Sequence, residues 1–474
     1  MELNREQCYR AILARDVRFD GRFFVAVKST GIYCRPVCPS KKPAFANCSF
    51  FRHAAAAEVA GYRPCLRCRP ELAPGSDSAD CSNQLAKAAM KQIEAGALSD
   101  QKVSTLAGRL GVSSRHLRRV FVQNFGVTPV QFAQTRRLLL ARQLLMDTGL
   151  PLIDVAFASG FSSVRRFNAL FLERYSSSPS RLRKAIGSPP ELNSCVCRLA
   201  YRSPFDWESL LEFFAPRVFA GVEEVNAGCY RRTAEIGTHR GWISVENDGS
   251  FLRVEVAVSL LPVLFQVLAR VRRLFDLEAV PTEISSCLGP LAEAHPGLRV
   301  PGAFDGFEMA VRAILGQQIS VKGATTFAAR LTERFGEAMA TPFAGLTRLS
   351  PRPDVISSTP LDDLAAIGLT RSRAKSIQAL ALATSKRAIS FEPPVSIERA
   401  LTKFKEIPGV GNWTAQYFAM RALGWPDAFP ESDLGILKAL QTNSPSHAAS
   451  LAEGWRPWRA YAAMHLWKKL KEKT

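Results

Sequence analysis

LTKFKEIPGVGNWTAQYFAMRALGWPDAFPESDLGILK, residues 401–438, is the stretch on which the reading of this 474-residue chain turns. It predicts a short helix, a Pro-Gly-Val-Gly hairpin at Pro408–Gly411, a second helix, and a loop ending at Asp433. Trp413, Tyr417, Met420 and Leu423 fall near helical spacing, so the second helix has one face to bury. Gly409 and Gly411 let the backbone turn sharply and present N–H groups just ahead of a helix N-terminus. Such a site holds a phosphate without sequence preference. Asp433 follows a Pro-rich break and opens the next helix.

The rest of the chain is too long for one compact core, and its length suggests about three domains. No run of 18 apolar residues occurs and the N-terminus is mixed and charged, so neither a membrane span nor a signal peptide is expected. The formal charge is +20, unevenly spread: residues 1–187 carry 29 Lys and Arg against 13 Asp and Glu, and the remainder 33 against 29. The front of the chain has the electrostatic footprint of a polyanion binder. A basic surface serving only solubility is the bland alternative. Eleven cysteines without an export signal argue for thiols in a reducing cytoplasm, used as ligands or nucleophiles rather than in disulfides.

Four of those cysteines form two pairs. Cys34-x3-Cys38 and Cys65-x2-Cys68 are separated by enough chain to fold back, and four thiolates so arranged suit one tetrahedral Zn2+. A domain this small needs such a staple. The bland reading is a zinc ribbon that only holds a fold. Cys48 lies outside both pairs and reads as a buried thiol. Lys41, Lys42, Arg63, Arg67 and Arg69 are candidates for phosphate contacts. Glu71–Asp80, ELAPGSDSAD, reads as a flexible linker.

From about Cys81 to Ile186 two helix-turn-helix patterns follow. In VSTLAGRLGVSSRHLRRVFVQNFG, Val103, Leu106, Ala107 and Leu110 make an apolar face. Gly111 takes the turn, and Ser113 caps a helix carrying Arg115, His116, Arg118 and Arg119. In PLIDVAFASGFSSVRRFNALFLERY, Gly160 takes the turn, Ser162 or Ser163 the cap, and Arg165, Arg166 and Asn168 the outward face. GSPPELNSCVC, residues 187–197, is the main boundary; Cys195 and Cys197 lack a second pair and are not expected to bind metal. Beyond it CYRRTAEI, GWISVEND and SFLRVEVAV read as strands, with a hairpin turn at Glu246-Asn247-Asp248-Gly249. The chain after Cys287 is helical again.

These motifs resemble known families. Gly31-Ile32-Tyr33-Cys34-Arg35-Pro36-x-Cys38 with Gly61-Tyr62-Arg63-Pro64-Cys65-x2-Cys68 is similar to the N-terminal domain of the Ada-type alkylation-response proteins. That resemblance implies that Cys34 takes a methyl group from a DNA methylphosphotriester. Zinc keeps a thiol deprotonated, and the thiolate is the nucleophile. Methylation turns one of four thiolates into a thioether, so the site loses a negative charge and gains affinity for phosphates. The paired helix-turn-helix patterns, with Gly-Phe-Ser-Ser and SPSRLRK, look like the AraC-type DNA-binding domain, whose recognition helices enter the major groove. The strand-rich segment resembles the N-terminal domain of AlkA-type 3-methyladenine glycosylases. The opening stretch, with Gly316-Gln317-Gln318-Ile319-Ser320 and Trp455-Arg-Pro-Trp-Arg, resembles the helix-hairpin-helix glycosylases.

The resulting fold class is multidomain, mainly α with α+β parts. A small four-cysteine zinc domain spans 1–75, an AraC-type helical DNA-binding domain 81–187, a small α+β domain 198–290 and an all-α glycosylase domain 291–474. The glycosylase resemblance makes Asp433 the catalytic carboxylate, stabilising the sugar cation or orienting water. Glu431 is expected to face solvent. Trp413, Tyr417, Trp455, Trp458 and Tyr461 are candidate walls of an aromatic base pocket, against the alternative of core packing. Relatives that nick the strand carry a lysine two residues past the last hairpin glycine. Trp413 stands there, so hydrolysis without lyase activity is expected. No cysteine follows Cys287, which excludes the iron–sulfur cluster of some relatives, and none is followed by His, so transfer from O6-methylguanine is not expected. The implied partners are double-stranded DNA with alkylated bases or methylphosphotriesters, promoter DNA and RNA polymerase, for a monomer. A DNA-binding regulator with an inactive glycosylase scaffold is the competing reading, as is a repair enzyme whose front half only adds DNA affinity.

Overall fold

The computed structural model describes residues 4–75, 83–99, 101–183 and 193–472. Residues 76–80 of the expected linker, Cys81, and the boundary up to residue 192 lie outside the described residues. The chain forms two compact units. One comprises Met1–Arg202, Ile236–His239 and Asp248–Ala269; the other comprises Ser203–Glu235, Arg240–Asn247 and Arg270–Thr474. The strand-rich segment contributes to both.

In the first unit, four short strands form a sheet in the order β3-β1-β2-β4: β1 is Phe24–Val27, β2 Ile32–Cys34, β3 Cys48–Phe51 and β4 Arg63–Pro64. Strand alternation sends neighbouring residues of β1 to opposite faces. Val25 packs with Phe23 and Cys48 against Cys8, Ala11 and Ile12 of the helix Arg5–Ala14. Phe24 and Ala26 pack with Tyr33 against Ala54, Ala57 and Leu139. Leu139 belongs to the helix Pro129–Asp147, so this four-stranded sheet shares a core with the helical segment. The helix Val103–Arg109 is followed by Gly111 at φ 71°, and Ser113 caps Ser114–Phe125 by accepting from the His116 amide. After the long helix Pro129–Asp147 the pattern repeats in Leu152–Ala158 and Val164–Tyr175; the cap is Ser163, not Ser162. The antiparallel pair Ser194–Ala200 and Phe251–Ala257 completes the described strands of this unit.

Buried polar groups tie the front of the unit together. Glu58 is 4% exposed. Its Oε1 accepts from Tyr33 Oη at 3.0 Å and Tyr175 Oη at 3.2 Å, and its Oε2 accepts from Thr135 Oγ1 at 2.8 Å. Arg142 donates to the Cys65 carbonyl at 2.8 Å and pairs with Glu71 at 3.3 Å. Glu71 was expected to open a flexible linker. Its side chain is buried in that ion pair, so the chain is still anchored at this point.

The second unit packs its helices, among them Gly306–Leu315, Arg371–Ser385, Ile397–Lys405 and Asn412–Arg421, around one apolar core that includes Ala310, Ile314, Ile377, Phe404 and Phe418. An antiparallel pair, Glu223–Asn226 with Cys229–Ile236, adjoins them in sequence. The strand His239–Asn247 ends where expected, and Gly249 at φ 87° turns the chain toward Phe251–Ala257. Among the described residues, no helix is long and apolar enough to cross a membrane.

Burial pushes the Glu58 carboxyl up to about 7. A raised carboxyl favours the folded state in its neutral form. Its contribution is full below the unfolded value of about 4.3 and is lost as pH rises through 7. The expected loss is roughly 3 kcal/mol. In Glu58→Gln, thermal unfolding should lose most of this pH dependence relative to wild type between pH 4.5 and 7. Parallel curves for the two proteins would show that Glu58 does not carry it.

Candidate active site

The hairpin sits at the surface between the helices Ile397–Lys405 and Asn412–Arg421. Gly409 has φ 79°, and a Cβ there would lie 2.5 Å from Ser376 Oγ, so both conformation and space require glycine. Gln317 Nε2 donates to the Gly409 carbonyl and to Thr414 Oγ1, each at 2.9 Å, bracing the hairpin from the Gly-Gln-Gln segment. Pro408, Gly409, Gly411 and Asn412 are exposed; Ile407 and Val410 are buried. Glu431 is not free in solvent, because its carboxylate accepts from Asn412 Nδ2 at 2.5 Å.

Asp433 is the N-cap of the helix Leu434–Ala439. Its Oδ1 accepts from the amides of Gly435 at 2.9 Å and Ile436 at 3.0 Å, and from Trp467 Nε1 at 2.9 Å. Its Oδ2 accepts from Trp413 Nε1 at 2.9 Å. Four N–H donors therefore fix one carboxylate. Trp413 stacks on Tyr417 with ring centroids 5.2 Å apart and planes 8° from parallel. The Tyr417 hydroxyl in turn accepts from Arg421 Nη1 at 2.7 Å.

These groups line a cavity of about 670 Å3. Trp413, Tyr417 and Asp433 belong to it as the sequence suggested, but Trp455, Trp458 and Tyr461 are not among its lining residues. Trp455 packs near Phe429 and Trp458 edge-on to Tyr461, against the core, while Tyr461 donates to Asp276 at 2.8 Å. Trp467, with Met464 one turn before it on the helix Arg459–Glu472, takes the place given to them. Its i, i+3 relation to Met464 was the available signal. Of the face expected to be buried, Met420 and Leu423 lie in the core, beside Thr414, Ala415, Phe418 and Ala419, while Trp413 and Tyr417 are only half-buried. Their i, i+4 spacing marks a cavity wall. Arg217, Arg312 and Arg421 line the same cavity and had no sequence signal. Burial pulls Arg312 down to about 10, with Arg217 and Arg421 adding to that effect.

In the first unit, parallel pairing of β2 with β4 sets Tyr33 opposite Pro64, and the Cys65 amide donates to the Tyr33 carbonyl at 3.0 Å. That register brings the two cysteine pairs together. The sulfurs of Cys34, Cys38, Cys65 and Cys68 all lie within 4.8 Å of one another, which fits a single metal ion held by four thiolates. The Arg67 amide donates to Cys65 Sγ at 3.4 Å, the Arg35 amide donates to Cys68 Sγ at 3.3 Å, and Ser40 hydrogen-bonds Cys38. Cys34 and Cys38 are partly exposed; Cys65 and Cys68 are buried. Lys41, Arg63 and Arg67 are exposed. Arg69 is not free for phosphate, because it pairs with Asp147 and Glu71; Lys42 is exposed, and its ammonium donates to the Leu13 carbonyl. On the recognition helices Arg115, Arg118, Arg119, Arg165, Arg166 and Asn168 are all exposed, and Arg119 contacts His116 Nδ1 at 3.1 Å.

Four family models match the chain in succession. They are the metal binding domain of Ada (7–71), a helix-turn-helix domain (106–185), the AlkA N-terminal domain (196–305) and the HhH-GPD superfamily base excision DNA repair protein (311–453). The class is therefore a DNA-binding repair protein with a metal domain, a helix-turn-helix domain and a helix-hairpin-helix glycosylase fold. A Mycobacterium tuberculosis protein, "Probable bifunctional transcriptional activator/DNA repair enzyme AlkA", is 37% identical over 98% of this chain and 96% of its own length. The chain belongs to that family of bifunctional activator and repair proteins. DNA-3-methyladenine glycosylase 2 of Escherichia coli is 35% identical over 57% of the chain and 95% of its own length. Among solved structures, a 3-methyladenine DNA glycosylase from Archaeoglobus fulgidus shares the fold. Its TM-score is 0.50 at 21% identity, covering 59% of this chain and 99% of that one.

Trp467→Phe keeps an aromatic wall but removes the pyrrole ring with its one donor to Asp433, while the helix cap stays in place. Base excision should slow by roughly ten- to a hundredfold, the value of one hydrogen bond to a charged group. The melting temperature should change little. An unchanged rate would make Trp467 a wall and nothing more.

Proposed function

We propose that the second unit excises 3-methyladenine and related alkylated bases from DNA by hydrolysing the N-glycosidic bond. The observation that carries this reading is the Asp433 carboxylate, fixed by four N–H donors on the wall of an aromatic cavity and close in sequence to a phosphate-binding hairpin. An extruded purine made cationic by alkylation is favoured beside the Trp413 and Tyr417 faces. As the C1′–N bond breaks, its electron pair passes to the base, which leaves neutral. Positive charge then develops on the sugar, where the fixed negative charge of Asp433 stabilises it without reorganising. Water adds to C1′ and gives up its proton. The position two residues beyond Gly411 is Trp413, so no amine is placed there to form a Schiff base, and the chemistry stops at the abasic sugar.

The first unit, in this reading, binds one Zn2+ through Cys34, Cys38, Cys65 and Cys68. Bound zinc keeps the thiols ionised. Cys34 is the methyl acceptor: its sulfur attacks the methyl carbon of a phosphotriester, the C–O bond breaks and the phosphodiester leaves with the electron pair. Cys34 is partly exposed, whereas Cys65 and Cys68 are buried and receive backbone N–H groups that lower sulfur nucleophilicity. Lys41, Arg63 and Arg67 are the supporting cations, and the recognition-helix arginines read promoter DNA.

Asp433→Asn should abolish release of 3-methyladenine from alkylated DNA, by about a thousandfold or more, and leave DNA binding intact. Unchanged release removes the catalytic assignment. Incubation with methylphosphotriester DNA should add one methyl group, mapped by mass spectrometry to Cys34, in protein holding one zinc per chain by elemental analysis. A methyl on another cysteine, or zinc retained in Cys65→Ser, contradicts the assignment.

A further inference from the structure

Excising a methylated base leaves much of the cavity unexplained. Its volume of about 670 Å3 lies in the range of ligand pockets. It is also lined by three arginines whose recorded hydrogen-bond partners are all neutral. Arg217 donates to the Phe213 carbonyl, Arg312 to Thr325 Oγ1, and Arg421 to the Tyr417 hydroxyl and to the carbonyls of Pro301 and Gly302. None of the three is ion-paired among the described residues. The carboxylates of the lining are engaged elsewhere: Glu223 and Glu308 share Arg232, Asp305 faces Arg270, and Glu212 meets Lys468 and Lys471.

Arg312 is the most telling of these groups. It is 8% exposed, lines the cavity, and its Nη1 has no hydrogen-bond partner. A buried guanidinium with an unmade hydrogen bond is costly, and two further cations beside it add repulsion. Such an arrangement suits a site completed by an anion, which guanidinium groups bind through paired N–H donors.

The lining charges without an ionic partner among the described residues are Asp433 and these three arginines. Asp433 and the two indoles that bond it form one end. Across the Trp413–Tyr417 stack, Arg421 begins the other, and Phe213 lies under the guanidiniums of both Arg217 and Arg421 at 4.0 and 4.7 Å. A purine alkylated with a carboxylate-bearing group matches that polarity, with a cationic ring and an anionic arm. We propose that the arginine end is a subsite for an anionic substituent on the extruded base. The substrate class then extends to carboxyalkylated purines such as N7-carboxymethylguanine and N3-carboxymethyladenine. The inference rests on the glycosylase reading; the bond broken is the same, and the carboxylate is bound but not consumed.

Full-length protein is incubated with DNA carrying methylated purines and with DNA carboxymethylated by a diazoacetate reagent, and the released bases are quantified by mass spectrometry. Wild type should release carboxymethylpurines at least as fast as methylpurines. Arg312→Met should lower the ratio of the two rates by about tenfold or more, and Arg312→Lys should restore most of it. The ratio cancels any general loss of activity, and Arg217→Met provides a second reading of it if Arg312→Met does not fold. Release of methylpurines without carboxymethylpurines, or a ratio unchanged in the variants, overturns the subsite. Release of neither base by wild type sinks the glycosylase reading and the subsite with it.

Discussion

The second unit depends on how one carboxylate is held. Asp433 collects an indole N–H from the helix after the hairpin, an indole N–H from the last helix and two amides from the helix it caps. No single element supplies the site. The three helices must be packed in register before the charge is fixed, so the apolar core around Ile314, Phe404 and Phe418 sets the precision of the chemistry as well as the stability of the fold. A carboxylate with this many donors has little freedom left to move. In the proposed hydrolysis its value is that of a negative charge already in place when positive charge appears.

Much of this was legible in sequence, for local reasons. Glycine at a positive φ, a serine before a basic helix and cysteines at ligand spacing each carry their geometry in a few adjacent residues. The hairpin, the Ser113 cap and the cysteine cluster could therefore be read directly. What could not be read was set by packing between distant segments. Trp455 and Trp458 are as aromatic as Trp467, and nothing in their local sequence tells a cavity wall from a core. The three cavity arginines come from positions 217, 312 and 421, and only the fold gathers them. Arg69 looked like a phosphate contact until Asp147, 78 residues away, claimed its guanidinium.

The first unit departs from a string of separate modules for a related reason. Composition suggested a flexible joint from Glu71 onward, since Pro, Gly and Ser favour open chain. Glu71 itself is not open chain, because its side chain is drawn into the buried guanidinium of Arg142. The same guanidinium holds the Cys65 carbonyl, and Glu58 collects hydroxyl groups from a strand of the metal domain and from two helices of the helix-turn-helix region. Buried polar contacts of this kind are costly to leave unmade, which fixes the partners more strictly than apolar packing does.

That mutual fit bears on how such a protein can be assembled in evolution. Leu139, Thr135 and Arg142 lie on one helix and complete the interior of the neighbouring domain. A metal domain moved onto an unrelated DNA-binding partner would leave behind part of its own core and expose a buried glutamate. A border drawn between the two front domains would therefore cut through one shared interior, and each half would lose stability without the other.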